Sequence, residues 1–151
     1  MIRITEATID DIEMLVNLGE KMHKESRFKT FSYSSEKVYS LIQWLINDPD
    51  GIALVAKDDD KIIGGFIGGV SETYYGFDKY SFDYAIFVLP DRRKSKAGYL
   101  LIKEYIKQAK SRNVKEIRIG TTTNIDPYAF DSFIKKMGFE CVGYNYKMGL
   151  D

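Results

Sequence analysis

The sequence predicts an α/β fold of the α+β, mixed-sheet kind, with a central and mostly antiparallel sheet flanked by helices. Three observations predict it. Short apolar runs, alternating or continuous, are interleaved with amphipathic stretches of helical period along the whole chain. Two of these runs face each other across a polar turn, as an antiparallel hairpin does, while a later pair is separated by a full helix, as parallel neighbours are. Finally, 151 residues with 44% hydrophobic content are enough for one buried core, so a single domain over residues 1–151 is expected.

Residues 2–7 alternate apolar and polar side chains, the pattern of a half-buried first strand. Thr8 with Asp11 three residues on forms a variant capping box, and Ile12, Leu15, Val16 and Met22 follow at helical spacing to an end near Lys24. Residues 26–33 have no period but carry Phe28, Phe31 and Tyr33; the segment is a loop that either covers the core or forms one wall of a substrate cleft. Ser34 or Ser35 caps a second helix with Val38, Leu41, Ile42 and Leu45 on one stripe and Trp44 on its flank, ended by Asn47-Asp48-Pro49-Asp50-Gly51.

Residues 52–56 and 62–70 flank the turn Asp58-Asp59-Asp60-Lys61 as a hairpin. The acidic triplet lacks the following glycine and the spaced ligands of a cation loop, so it reads as a solvated turn. Gly64, Gly65, Gly68 and Gly69 in the second strand imply bulges or close backbone approach. Residues 72–80 form an aromatic-rich connection holding Tyr74 and Tyr75, and Phe82 starts the strand that ends at Pro90. Ala97, Leu100, Leu101, Tyr105, Ile106 and Ala109 give a long amphipathic helix, after which residues 115–119 return as a strand parallel to the one before. Asp126-Pro127 opens another helix, the Asp as N-cap and the Pro at the first helical position, and Gly138 stops it. Residues 139–142 and 144–148 are expected to close the chain as two short strands.

Lys plus Arg and Asp plus Glu number 22 each, so no global field draws the chain to nucleic acid or to a membrane surface. The tyrosines could stack on nucleic-acid bases beside a basic loop, but the neutral net charge and the absence of a basic stripe argue against that function. Cys141 is the only cysteine and His23 the only histidine, which excludes a disulfide framework and disfavours a metal site or a Cys-His nucleophile pair. With no signal-peptide apolar region at Met1-Ile2-Arg3-Ile4 and no apolar run of membrane-spanning length, a cytoplasmic setting is expected. Eleven tyrosines and the aromatic loops leave room for a homodimer interface.

The chemistry concentrates where the apolar run Ile86-Phe87-Val88-Leu89 stops at Pro90. Four cations, Arg92, Arg93, Lys94 and Lys96, precede a helix start at Ala97-Gly98. Free backbone N–H groups at a helix N-terminus carry partial positive charge, and flanking Arg and Lys add full charges, so strand, basic turn and helix start together suit a phosphate. The same pattern also occurs as a solvated corner. This segment resembles the acyl-CoA signature of the GNAT superfamily of N-acyltransferases: Gln or Arg, two residues, Gly, one residue, then Gly or Ala, after a strand ending near a Pro. Arg92 takes the first place, Ser95 stands where the first Gly is usual, and Ala97 fills the last. The order β-α-α-β-β-β-α-β-α-β-β resembles the GNAT fold over essentially the whole chain.

The resemblance implies acetyl-CoA as acyl donor and a primary amine of a small molecule or protein as acceptor, joined by direct attack on the thioester. It implies that Phe87, Val88 and Leu89 offer backbone N–H groups to the cofactor arm and the thioester oxygen, and that Arg93, Lys94, Ser95, Lys96, Ala97 and Gly98 wrap the pyrophosphate. Asn124 is a further candidate contact. Because an alkylammonium is not nucleophilic, a base is needed, and Glu72, Asp83 and Tyr84 lie on or beside the central strands. Family members often carry a Tyr ahead of the Gly-Phe pair; here Ile134 takes its place, so Tyr128 is the substitute hydroxyl or the thiolate leaves unaided. Phe28, Phe31, Tyr33, Tyr74 and Tyr75 are expected on the acceptor side. The Ser95 and Ile134 departures also motivate an alternative, a GNAT-fold binding or assembly module without turnover.

Overall fold

The computed structural model describes residues 1–150. A five-stranded sheet runs in the order β1 (Ile2–Glu6), β2 (Gly51–Asp58), β3 (Lys61–Glu72), β4 (Lys79–Val88) and β5 (Glu116–Ile117). The first four strands are antiparallel neighbours; β5 joins β4 in parallel. Four helices accompany the sheet: α1 (Ile12–Glu25), α2 (Ser35–Asn47), α3 (Ala97–Lys110) and α4 (Pro127–Lys136). None of the helices among the described residues is long and apolar enough to cross a membrane.

The sheet is buried on both faces, and the period of two in β2 sorts its side chains between them. Ile52, Leu54 and Ala56 point to one side, where they meet Phe66, Val88 and the Ala97, Leu101, Tyr105 and Ala109 stripe of α3. Ala53 and Val55 point to the other, against Ile12, Leu15, Val16 and Leu18 of α1 and Ile42 of α2. Double-sided burial explains why β2 reads as a continuous apolar run.

The helix entries follow the local chemistry. The Asp11 carboxylate accepts from the Thr8 N–H at 2.9 Å and pairs with Lys57 at 3.2 Å, and the chain enters α1 through a 3-10 turn at Ile9–Asp11. The Asp126 carboxylate accepts from the Ala129 N–H at 3.2 Å, with Pro127 at the first position of α4. In the acidic turn, Asp59 and Asp60 are solvated, but Asp58 is not: it holds Arg92 and the Met1 ammonium, the latter at 3.3 Å.

The glycines of β3 are sites of close approach. A Cβ on Gly68 would lie 2.2 Å from the Phe82 carbonyl oxygen, and one on Gly64 2.8 Å from that of Phe87. Between Ile67 and Gly68 the register shifts: Ile67 faces Ala85 while Gly68 faces Asp83, which leaves Tyr84 as the extra residue of a β-bulge.

The two closing strands do not form. Residues 139–150 carry no sheet pairing, and Val142, Tyr144, Tyr146, Met148 and Leu150 are exposed. One residue, Gly143, separates the two expected strands, and a hairpin needs a loop of at least two. The segment is tied at its start, where the Phe139 N–H donates to the Ile134 carbonyl at 3.3 Å. The strand expected over 115–119 is also shorter than its apolar pattern suggests, because its ladder with β4 ends early.

Candidate functional site

That early end creates the site. β4 and β5 are paired at Tyr80 with Glu116 and Ser81 with Ile117, and the Arg118 N–H donates to the Ser81 carbonyl at 3.0 Å. The next bond in the series is not made by backbone. The Asp83 carboxylate accepts from the Gly120 N–H at 3.1 Å, and beyond it β4 has no strand paired on this side among the described residues. Tyr105 pins the last paired step from α3: its hydroxyl donates to the Arg118 carbonyl at 2.6 Å and lies 2.9 Å from Ser81 Oγ, with its ring stacked on Phe66. Burial raises the Tyr105 phenol above its ordinary range, so it stays protonated and structural.

Past the fork, β4 shows a bare edge. The Leu89 N–H donates to the Ile63 carbonyl at 2.9 Å, on the β3 side. Backbone groups alternate along an extended strand, so the N–H groups of Val88 and Ile86 face the gap. Of the three amides expected as donors, Val88 is therefore on the gap edge, whereas Leu89 is committed to β3 and Phe87 turns the same way, opposite Gly65. Ile86, not singled out from the sequence, shares the edge.

At the closed end of the fork, burial pushes the Asp83 carboxyl up to about 6, against the lowering effect of the Gly120 N–H. Tyr84 sits in the bulge, half exposed, its ring edge-on to Phe82 at 5.1 Å. Glu72 pairs with Lys79 at the far end of β3, away from the fork and exposed. Tyr128 is exposed on the first turn of α4, and Asn124 is an exposed residue in the left-handed conformation at φ 58°.

At the open end lies the basic turn. Arg92 points to the β2–β3 hairpin and is held by Asp58. Arg93 points to the gap: its Nε donates to the Val88 carbonyl at 3.0 Å, its guanidinium stands 5.2 Å from the Phe87 ring, and Nη1 and Nη2 each donate to a Glu25 oxygen at 2.6 Å. Those bonds hold the Glu25 carboxyl below the usual carboxylate range. Ser95 Oγ donates to the Arg92 carbonyl and accepts from the Ala97 N–H at 3.2 Å, so the hydroxyl organises the turn before α3. Lys94 and Lys96 are exposed, and a Cβ on Gly98 would meet nothing within 4 Å. The start of α3 is thus open to an anion.

The 3-10 turn Arg27–Thr30 carries the aromatic wall. Phe28 and Phe31 lie 6.2 Å apart. Tyr33 turns inward instead: its hydroxyl donates to the Val16 carbonyl at 2.8 Å, and it packs over Gly19. Tyr74 and Tyr75 form a separate edge-to-face pair in the β3–β4 connection, both exposed.

A family model described as "Acetyltransferase (GNAT) family" matches residues 19–139. The chain belongs to the GNAT family. No curated protein matches it by sequence. Among solved structures, this GNAT chain is similar to an aminoglycoside N-acetyltransferase in complex with CoA, at 16% identity and a TM-score of 0.80 over 99% of this chain and 95% of that one. It is similar to glucosamine-6-phosphate N-acetyltransferase from Arabidopsis thaliana, at 13% identity and 0.77 over 100% and 99%. A predicted acetyltransferase from Clostridium acetobutylicum, solved with acetyl-CoA, gives 15% identity and 0.79 over 99% and 96%. At these identities the likeness is one of fold.

The candidate site therefore assembles from four pieces: the bare edge of β4, the basic turn into α3, the Asp83 carboxylate at the fork, and the aromatic turn after α1. The sequence pointed to residues in all four. It missed Glu25 and Arg27, whose partners are 68 and 95 residues away, and no local pattern marks such pairs.

Proposed function

We propose that this chain is an acetyl-CoA-dependent N-acetyltransferase acting on a primary amine of a small molecule or protein. The observation that carries the reading is the fork: one bare strand edge runs from a cationic helix start to the half-buried Asp83 carboxylate. CoA supplies the acyl group as an activated thioester. The residues present fit it. The start of α3, with Lys94, Lys96 and the open space at Gly98, suits the pyrophosphate. Arg93, rather than Arg92, takes the first place of the signature, because Arg92 is turned away to Asp58; the last small residue is then Gly98.

Val88 and Ile86 would bind the cofactor arm and the acyl oxygen through their gap-facing N–H groups. An N–H aimed at the oxygen where negative charge develops is worth on the order of 2.7–4 kcal/mol, judged by removal of one such donor. Asp83 would take the proton from the acceptor ammonium. With its pKa pushed up to about 6 it is ionised at neutral pH, yet more basic than a surface carboxylate. Phe28 and Phe31 would flank the acceptor. Tyr128 and Asn124 make no contact that favours a role over the other candidates, and the thiolate, with an ordinary pKa of about 8.5, leaves without a dedicated acid.

The test is release of free CoA thiol from acetyl-CoA with a panel of amines: aminosugars, polyamines, aminoglycosides and peptides with a free α-amine or lysine. Turnover with a panel member supports the reading. CoA binding without turnover on any of them would favour a binding module on a GNAT fold.

A further inference from the structure

Glu25, Ser26 and Arg27 cross the mouth of the β4–β5 gap as a strap. On the β4 side, Glu25 is locked to Arg93 by two bonds of 2.6 Å, and Arg93 in turn holds the Val88 carbonyl. On the β5 side, the Arg27 N–H donates to the Thr123 carbonyl at 2.9 Å and its Nε donates to the Thr122 carbonyl. Between the two anchors Ser26 is buried. Its hydroxyl donates to the His23 carbonyl and accepts from the Phe28 N–H, which fixes the turn that carries Phe28 and Phe31.

We propose that Glu25 is a clasp: it holds Arg93 while the gap is empty, yields it to the pyrophosphate of CoA, and thereby couples cofactor entry to movement of the aromatic turn on the acceptor side. This rests on reading the gap as the CoA site. A guanidinium offers two bidentate faces, Nη1/Nη2 end-on and Nε/Nη side-on; in Arg93 Glu25 fills the first and the Val88 carbonyl takes Nε from the second. A phosphate therefore gains paired donors on Arg93 by displacing the carboxylate. The displacement also moves Arg93 relative to Val88, whose N–H lies on the same side of the strand as the carbonyl that Arg93 holds. Releasing Glu25 frees one end of the strap, while Arg27 keeps the other on Thr122 and Thr123. Glu25 is thus a positioning residue, acting through Arg93.

Competition predicts a sign that a merely structural ion pair does not. Removing a structural pair loosens the site and weakens binding. Removing a competitor strengthens it. Calorimetric titration of the full chain with acetyl-CoA is therefore compared for the wild type, Glu25→Gln and Glu25→Asp. Glu25→Gln is expected to bind about two- to fivefold tighter, the scale of a partly exposed ion pair, with Glu25→Asp in between. Hydrogen exchange of the amides over residues 26–31 should quicken in ligand-free Glu25→Gln, and in the wild type when acetyl-CoA is added. Equal or weaker binding by Glu25→Gln, with the wild type binding normally, overturns the clasp and leaves the cofactor reading standing. No binding by any of the three overturns the cofactor reading, and the clasp falls with it.

Discussion

Asp83→Asn lowers kcat/KM for the acceptor amine by roughly 10²- to 10⁴-fold, the usual contribution of a positioned base, and at the same time raises thermal stability at pH 7.5. The two effects have one origin. Burial raises the folded-state pKa of Asp83 from 3.8 to about 6, so between these values the folded chain binds the proton more tightly than the unfolded one. The stabilising contribution of this carboxyl is complete below pH 3.8 and is lost as pH rises through about 6, so the ionised form is a burden at neutral pH. Asn keeps an oxygen for the Gly120 N–H and removes the charge. The wild-type pH–rate profile should show an acid limb with a midpoint near 6, and the variant should lack it. A stable variant with full activity and the same acid limb would remove Asp83 from the chemistry.

Gly68→Ala lowers stability by about 1–3 kcal/mol or more, the cost of overpacking, and misplaces the fork. The added methyl would sit 2.2 Å from the Phe82 carbonyl oxygen, 3.0 Å from the Phe66 ring and 3.1 Å from the Asp83 Cα. The nearest obstacle is backbone of the paired strand, so no rotamer change relieves it. β3 and β4 must separate at the bulge, where Asp83 and Tyr84 are set. For a chain of this size, that loss corresponds to a fall in Tm of roughly 2–12 °C. Gly98→Ala is the control: its methyl meets nothing within 4 Å, so the folded state should tolerate it. Equal Tm values for Gly68→Ala and the wild type in a thermal melt would contradict the close approach at the bulge.

Most of the architecture was legible because local signals agreed with the fold. The Thr8–Asp11 box, Asp126-Pro127, the hairpin of residues 52–56 with 62–70, and the β3 glycines as a place of bulging or close approach are each present in the structure. The C-terminal segment was misread because alternation specifies a strand only where an edge receives it, and Gly143 alone is too short a hairpin loop. Within the site, the cationic turn and Asp83 were visible as residue types in a strand-to-turn context. Which arginine faces the gap was not, because Arg92 and Arg93 are adjacent and their directions are set by Asp58 and Glu25, far away in sequence. Likewise, the choice of Val88 and Ile86 over Phe87 and Leu89 depends on the β3 register, which one extra residue at Tyr84 shifts.

The central claim is that the β4 edge and the start of α3 form an acetyl-CoA site. Calorimetric binding of acetyl-CoA, to the wild type and to a variant carrying Arg93→Ala and Lys94→Ala, tests it most directly. The account predicts saturable one-to-one binding by the wild type and at least about tenfold weaker binding by the variant, as loss of charge-assisted hydrogen bonds to phosphate implies. Equal affinity in a folded variant, or no binding by the wild type, would contradict it.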